Sequence, residues 1–272
     1  MTNRQRKILE RVELKGACSY QDLTDAMAVS SMTVRRDVDR LAALGRVVKV
    51  LGGVQRADAP ANLYESELRS RLNEAVAEKR AIAQAAAALI PPHATIFLDG
   101  STTCLELAKY LAEHHAGLTI VTHSAATCSM LGRSQANMIV SLGGQYDPSS
   151  GCFIGPTCEE QAARYFVDIA FVSTKGFVPD EGTFESSVAT YRIKQIVAAQ
   201  CPRVALLVDN SKFGRRALRR VLDSSQIHTV VTDAGTSRHH VAEMEAQGMQ
   251  VIVAAGAAAS IATPGVVSSK KQ

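Results

Sequence analysis

Arg35, Arg36 and Arg40 share one short stretch, Ala28 to Gly45, with Ser31, Met32 and Thr33. Within it Val34, Val38, Leu41 and Leu44 recur at helical spacing and form an inward stripe, so the arginines and hydroxyls fall on the faces the stripe leaves free. Arginine bonds guanine edges in pairs, hydroxyls bond bases or phosphates, and the N–H groups of a first helical turn attract phosphate. The stretch therefore suits the major groove of DNA. Taken alone, it is equally an amphipathic surface helix capped by Ser30 or Ser31, with its arginines paired to Asp37 and Asp39.

A second set of reactive groups follows five apolar, β-rich runs: Asp99-Gly100-Ser101-Thr102-Thr103, Thr122-His123-Ser124, Gly143-Gly144-Gln145, Ser173-Thr174-Lys175-Gly176 and Asp209-Asn210-Ser211-Lys212-Phe213-Gly214. Open parallel sheets collect ligands at the carboxyl ends of their strands, and these loops carry glycine, hydroxyl, carboxylate or lysine at each such end. Asp99 to Thr103 offers N–H groups and hydroxyl oxygens to a phosphate; a capping box of Thr103 with Glu106 is the alternative that needs no ligand. Lys212 brings positive charge to the same rim, and Lys175 adds a cation that suits a second acidic group on a ligand. Asp99, Asp168 and Asp209 are candidates for bonding sugar hydroxyls or for capping turns. His123 fits either a ligand contact or a turn. Glu181 and Glu185 flank Gly182 in a segment able to close over a site or to stay solvated.

These groups need two kinds of scaffold. Helices are expected over Arg4 to Lys15, ended by Gly16, and over Tyr20 to Met27, capped by Ser19; a turn at Ala28-Val29-Ser30 leads into the arginine helix. Arg46 to Leu51, the Gly52-Gly53 turn and Val54 to Arg56 form a basic hairpin carrying Lys49, which completes a winged helix-turn-helix. Ala57 to Asn62 has linker composition, and Tyr64 to Asn73 is a charged helix. Beyond a helix over Glu78 to Ile90, ended by Pro91-Pro92, strands at Thr95 to Leu98, Leu118 to Val121, Met138 to Leu142, Ile169 to Val172, Val204 to Val208, Thr229 to Val231 and Gln250 to Val253 alternate with helices. Those helices are Thr103 to His114, Ala125 to Leu131, Glu159 to Tyr165, Val188 to Ala199 and Arg238 to Gln247. Alternation of this kind predicts a mostly parallel α/β sheet. The expected division is residues 1–56 for the winged module, 57–74 for linker and connecting helix, 75–254 for the α/β domain, and 255–272 for a disordered tail of Ala, Gly and Ser.

Charge follows the same division. Residues 1–56 hold eleven Lys and Arg against six acids, whereas residues 57–272 hold nineteen against twenty, so the surplus behind the net +4 lies in the first fifth of the chain. That is the footprint of a module that meets phosphate backbone. With 272 residues, 46% of them apolar, and no apolar run near the roughly 20 residues of a membrane span, a cytoplasmic protein is expected. Six scattered cysteines with no Cys-x-x-Cys pattern predict free thiols and no structural metal.

The run Val29-Ser30-x-x-Thr33-Val34-Arg35-Arg36-Asp37-Val38-x-x-Leu41-x-x-x-Gly45, with Gly52-Gly53 after it, resembles the N-terminal signature of DeoR-type bacterial transcriptional regulators. Leu98 to Thr103, Val121 to Ser124, Gly143-Gly144, Asp168-x-Ala170-Phe171, Gly176-Phe177 and Asp209 to Gly214 resemble that family's effector domain in the same order, with Ser101 and His123 where Gly and Asn are usual. The resemblance implies an effector domain similar in fold to ribose-5-phosphate isomerase and glucosamine-6-phosphate deaminase, a phosphorylated sugar as effector with no further cofactor, and a homo-oligomer. It implies a DNA-binding repressor of carbohydrate genes rather than an enzyme. Double-stranded operator DNA would be met by Ser31, Met32, Thr33, Arg35, Arg36, Arg40 and Lys49; the sugar phosphate would be met by Asp99, Gly100, Ser101, Thr102, Thr103, His123, Gly143, Gly144, Lys175 and Lys212. A sugar-phosphate isomerase or deaminase using Asp99, Asp168 and Glu185 as acids and bases is the rival, and an interaction scaffold with a degenerate helix-turn-helix is a third possibility.

Overall fold

The computed structural model describes residues 1–15, 17–50, 53–56, 71–186 and 190–255. In the N-terminal part three helices, α1 (Asn3–Lys15), α2 (Tyr20–Met27) and α3 (Ser31–Ala43), pack Ile8, Val12, Leu23, Val34, Val38 and Leu41 into one core. Strands β2 (Val47–Val50) and β3 (Gly53–Arg56) form the expected hairpin, and a short unanticipated strand, β1 (Ala17–Ser19), adds to the other side of β3. Three residues are too few to show a period, which is why β1 left no mark in the sequence. Leu44 corrects the expected stripe. It is 67% exposed, because α3 ends on a Schellman turn: Gly45, at φ +65°, donates to the Ala42 carbonyl, and Arg46 donates to that of Leu41. The backbone reverses before Leu44 can reach the core face.

The expected linker, its Tyr64 to Asn73 helix up to residue 70, and the tail beyond residue 255 lie outside the described residues, as do Gly16 and Gly52. The second half is built on seven parallel strands. In chain order they are β4 (Thr95–Leu98), β5 (Thr119–Thr122), β6 (Met138–Ser141), β9 (Ile169–Val172), β12 (Val204–Leu207), β14 (Thr229–Asp233) and β15 (Gln250–Ala254), and in space they run β15-β14-β12-β9-β4-β5-β6. Helices α4 (Val76–Ala87), α5 (Thr102–His114) and α6 (Ala125–Leu131) contribute to the core on one face, where Ile96, Leu98, Ile169 and Phe171 point. Helices α7 (Pro156–Ala162), α8 (Tyr191–Gln200) and α9 (Arg238–Ala246) cover the other, against Phe97, Ala170 and Val172. Burial on both faces is what makes the strands read as unbroken apolar runs.

From β4 the chain progresses outward to β5 and β6, and from β9 it progresses the opposite way to β12, β14 and β15. The adjacent pair β4 and β9 is thus a topological switch point, where loops diverge and leave a crevice at the strand ends. Two small additions frame that end: a hairpin of β7 (Gln145–Asp147) and β8 (Cys152–Ile154), and an antiparallel sheet of β10 (Gly176–Val178), β11 (Gly182–Glu185) and β13 (Arg219–Arg220). Neither was anticipated. The segment around Gly182, expected as a loop, is strand β11; Glu185 there is buried, and Glu181 is held by two hydrogen bonds from Arg216.

Candidate functional site

On α3, Ser30 caps the helix by accepting from the Thr33 N–H at 3.3 Å, and its hydroxyl meets that of Thr33 at 2.9 Å. The following turn puts Ser31, Met32, Arg35 and Arg36 in solvent, with Thr33 half-buried. Met32 is 80% exposed, the most of any large apolar side chain described. Arg35 lies over the Tyr20 ring of α2, 4.4 Å from its centroid, which holds the guanidinium at the helix-turn-helix surface. The pairing of these arginines with Asp37 and Asp39, which the alternative reading of a plain surface helix called for, is not formed as a hydrogen bond or ion pair among the described residues. Asp37 is buried and is taken by Arg4 and by Gln5 Nε2, the latter at 3.1 Å. Asp39 pairs instead with Lys49 on the wing. Arg36 makes no hydrogen bond or ion pair with any described residue, and exposed Arg40 reaches Asp37 only through its charge. The acids of α3 thus tie it to α1 and to the wing, and Arg36 stays open to a ligand.

In the sheet domain Asp99 is the organising side chain. It is fully buried at the end of β4; one oxygen accepts from the Ser101 N–H at 2.8 Å and the other from the Ser173 N–H at 2.8 Å. The two diverging loops of the switch point are thereby pinned to one carboxylate. Lys194 of α8 closes the arrangement, its ammonium 3.1 Å from Asp99, in contact with Glu185, and donating to the Ser173 carbonyl at 2.6 Å. Burial by itself would raise the Asp99 carboxyl, but the Lys194 charge and the Ser101 and Ser173 donors outweigh it and keep it below the ordinary carboxylate value. Burial likewise opposes the Lys194 ammonium, and Glu185 and Asp99 more than offset this. Asp99 is therefore a charged frame for the loops, with both oxygens occupied.

Ser101 caps α5, accepting from the Cys104 N–H at 3.1 Å, so the capping box of Thr103 with Glu106 is not formed. Glu106 faces Lys109 and Arg80 instead, at 2.6 and 3.5 Å. Thr102 and Thr103 are buried in the first turn, with Thr103 Oγ1 receiving a bond from Ser173 at 3.4 Å. Gly100 has a packing reason as well, since a Cβ there would collide with Cys152 Sγ and stand 3.3 Å from His123 Nε2. His123 is 0% exposed and stacked on Phe97 at 5.8 Å, and neither ring nitrogen has a hydrogen-bond partner among the described residues; the same holds for buried Thr127 Oγ1 on α6. Burial drives the His123 pKa down to about 4, so the ring is neutral near pH 7, with one nitrogen able to donate and the other able to accept. Cys152 in the same pocket of atoms is pushed up to about 12 by burial and by the Asp99 charge.

Gly143 faces open space after β6, whereas a Cβ on Gly144, at φ +133°, would lie 2.6 Å from the Ile154 carbonyl oxygen. Lys175 is half-buried between β9 and β10. Lys212 stands partly exposed after β12, 4.0 Å from Asp209, which also caps the short turn over Asn210–Lys212 through Ser211. Asp168 corrects the expectation for a strand-end acid. It precedes β9 at the amino edge of the sheet and accepts from the Thr95 N–H at 2.8 Å, away from the crevice. Lys194 is the residue the sequence did not single out, and Glu185, read there as an acid of a closing segment or of an enzyme, is buried as its ion-pair partner. The signal was a lysine set among Tyr191, Ile193, Val197 and Ala198, the buried side of α8.

Among the described residues no group of three or more His, Cys, Asp or Glu is placed to hold a metal ion, and no helix is long and apolar enough to cross a membrane. A basic helix-turn-helix with a wing, joined in one chain to a parallel sheet whose switch-point loops are drawn together, defines a ligand-responsive DNA-binding regulator. Residues 4–59 match the DeoR-like helix-turn-helix domain and residues 74–234 match the DeoR C terminal sensor domain. The chain belongs to the DeoR family of transcriptional regulators, and neither matching domain describes an enzyme. It is 31% identical over 253 residues to an uncharacterized HTH-type transcriptional regulator of Haemophilus influenzae, covering 90% of this chain and 95% of that one. It is 29% identical to the glycerol-3-phosphate regulon repressor of Escherichia coli (86% and 91% covered) and 29% identical to the lactose phosphotransferase system repressor of Lactococcus lactis (88% and 94%). Among solved structures, ribose 5 phosphate isomerase A of Neisseria gonorrhoeae aligns with 51% of this chain and 53% of its own at 16% identity and a TM-score of 0.39.

Proposed function

We propose that the protein is a cytoplasmic, homo-oligomeric repressor of a carbohydrate-metabolism operon whose hold on DNA is modulated by a phosphorylated sugar bound at the strand ends of the sensor domain. The observation that carries this is the switch-point geometry: Asp99 draws together the loops after β4 and β9, setting the first turn of α5 beside the unpartnered nitrogens of His123. Related repressors named for a glycerol-3-phosphate regulon and a lactose phosphotransferase system support the ligand class.

In this reading Gly100, Ser101, Thr102 and Thr103 receive the phosphate with N–H and hydroxyl groups, and Lys212 and Lys175 supply countercharge. His123 accepts from or donates to a sugar hydroxyl, Gly143 and Gly144 leave room beside the hairpin, and Asp99 holds the loops in place. On the DNA side Arg36 and Arg35 read base edges, Met32 meets apolar groove surface, and Ser31, Thr33, Arg40 and Lys49 contact phosphates. Paired helices on two half-sites would supply affinity that one module lacks. Ligand acts by favouring one arrangement of the assembly over another.

Thermal unfolding of the purified protein against a panel of sugar phosphates and their unphosphorylated sugars tests the sensor. A ligand at about 100 times its Kd stabilises by roughly 2.7 kcal/mol. One phosphorylated compound should stabilise, its free sugar should not, and Lys212→Ala should abolish the shift; a panel in which no phosphorylated compound acts contradicts the proposal.

A further inference from the structure

Arg4, on the first turn of α1, reaches across to α3. Its Nε donates to the Asp37 carboxylate, whose side chain is 3% exposed against 36% for that of Arg4. Arginine commonly meets a carboxylate with two parallel bonds. Here the other Asp37 oxygen accepts from Gln5 Nε2 at 3.1 Å, and Gln5 Oε1 in turn accepts from the Thr2 N–H at 2.9 Å, so the amide takes the place of a second guanidinium bond. The terminal nitrogens of Arg4 make no hydrogen bond to any described residue. Burial alone would raise the Asp37 carboxyl, but the bonds from Arg4 and Gln5 and the charges of Arg4 and Arg40 hold it below its ordinary value, so it stays a carboxylate and keeps Arg4 anchored. An anchored guanidinium with free donors binds an anion with little further loss of side-chain freedom.

Helix geometry fixes where that guanidinium stands. On the surface of α3 Asp37 neighbours Thr33 and Arg40, four residues before it and three after. At about 100° per residue, Asp37 and Asp39 lie about 200° apart around the helix, on either side of the exposed line through Met32 and Arg36. Asp39 holds Lys49 of the wing on one flank, and Asp37 holds Arg4 on the other. A helix lying in the major groove has a phosphate backbone along each side. The first turn of α1 contains no acid, and Arg6 and Lys7 are exposed, so no carboxylate of that turn opposes a phosphate there.

We propose that Arg4 is a phosphate-binding residue of the DNA interface and Asp37 its positioning residue, so that the two backbones bordering the groove are met from either side of α3, one by Arg4 and the other by Lys49. This rests on the reading of α3 as the helix that enters the groove. Because its contact is to phosphate, Arg4 adds affinity without base preference and leaves discrimination to α3.

Fluorescence anisotropy of the full-length protein across a salt series tests this, on a duplex that it selects from a random-sequence library and on a random duplex of equal length. Arg4→Gln should weaken both duplexes by the same factor, about fivefold or more at low salt, and should reduce the slope of log K against log salt by about one for each Arg4 in the complex. A residue that served only to hold α3 against α1 would act differently. Its loss would lower the ratio of selected to random binding and leave the slope unchanged, and that result overturns the proposal. Asp37→Asn keeps the shape and removes the charge. In that background Arg4→Gln should weaken binding by a smaller factor than in wild type, and an equal factor overturns the positioning role of Asp37. If Arg4→Gln does not fold, Arg4→Lys takes its place, since one ammonium cannot reproduce the separate Nε and terminal donors, and wild-type affinity in Arg4→Lys overturns the role of the free nitrogens. Wild-type affinity and slope in Arg4→Gln, with selected binding weakened in Arg36→Ala, overturn the role of Arg4 and leave the reading of α3 standing. Wild-type affinity of Arg36→Ala for the selected duplex overturns both.

Discussion

Arg36 and Lys194 are both helical cations near a chemically active face, yet one is solvated and free of described partners while the other is buried between Asp99 and Glu185. The N-terminal module spends its acids on scaffolding, Asp37 toward α1 and Asp39 toward the wing, and leaves Arg36 open to solvent. The sheet domain spends its buried cations on scaffolding: Lys194 holds the switch-point loops, and Lys79 of α4 holds the turn before that helix through the Arg71 and Glu74 carbonyls. The contrast matches the two kinds of ligand. A polyanion such as DNA is met by exposed charge whose counterions it releases, and the cost is sensitivity to salt. A small anion in a crevice is met by backbone donors, which must be fixed beforehand by charges that are themselves satisfied.

Removing the buried cation has the largest expected effect. Lys194→Ala leaves Asp99 and Glu185 facing each other without compensation, and urea unfolding should show a loss of about 3–5 kcal/mol. A loss under 1 kcal/mol would mean the triad is not a frame. Acid provides a second test in the same region. The His123 pKa is about 4 when folded, against about 6.5 unfolded, so the unfolded chain binds the extra proton in between, and stability falls as pH drops through that window. Between pH 6.5 and 4.5 the loss should be roughly 2–3 kcal/mol in wild type and smaller in His123→Asn, measured by unfolding at fixed ionic strength.

On the exposed side, Arg36→Ala should cost about 1–3 kcal/mol in binding to a cognate duplex, with folding stability unchanged. An equal loss on random duplexes would reassign Arg36 to a phosphate. Asp39→Ala sharpens the comparison. It breaks an exposed pair worth only about 0.2–1 kcal/mol to folding and releases Lys49 toward DNA, so binding should tighten and the slope of log K against log salt should steepen by up to about one. The smallest effect belongs to the turn between α2 and α3, where Ala28 holds φ +51°. Ala28→Gly relieves that strain while adding freedom to the unfolded chain, and a net gain of a few tenths to about 1 kcal/mol is expected in thermal unfolding.

The order of helices and parallel strands was legible because both follow from apolar periodicity, and the strand-end loops were legible because glycines and hydroxyls punctuate it. The small antiparallel additions β1, β7, β8, β10, β11 and β13 were not legible, since their pairing is set by tertiary neighbours rather than by local pattern. Leu44 was misplaced because a helical stripe says nothing of where a Gly45 reversal will cut it. Asp168 and Asp99 look alike in sequence, each beside an apolar run, and only the direction of the strand sends one to the amino edge and the other to the crevice. Lys194, and its pairing with Glu185, escaped notice because a partnership of buried charges leaves no trace in spacing. Pro179-Asp180-Glu181-Gly182 did carry a hairpin signal that was read as a loop.

The central claim is that the open cations of α3 and the frame at the strand ends belong to one switch. Fluorescence anisotropy tests it most directly, using a duplex selected by the full-length protein from a random-sequence library and titrated with salt in the presence and absence of the sugar phosphate that gives the largest thermal shift. Steep salt dependence is expected, with a change of about fivefold or more in duplex affinity on adding the ligand and no change when Lys212→Ala replaces the wild type. A ligand that binds the sensor domain fully and leaves duplex affinity untouched at every salt concentration would contradict it.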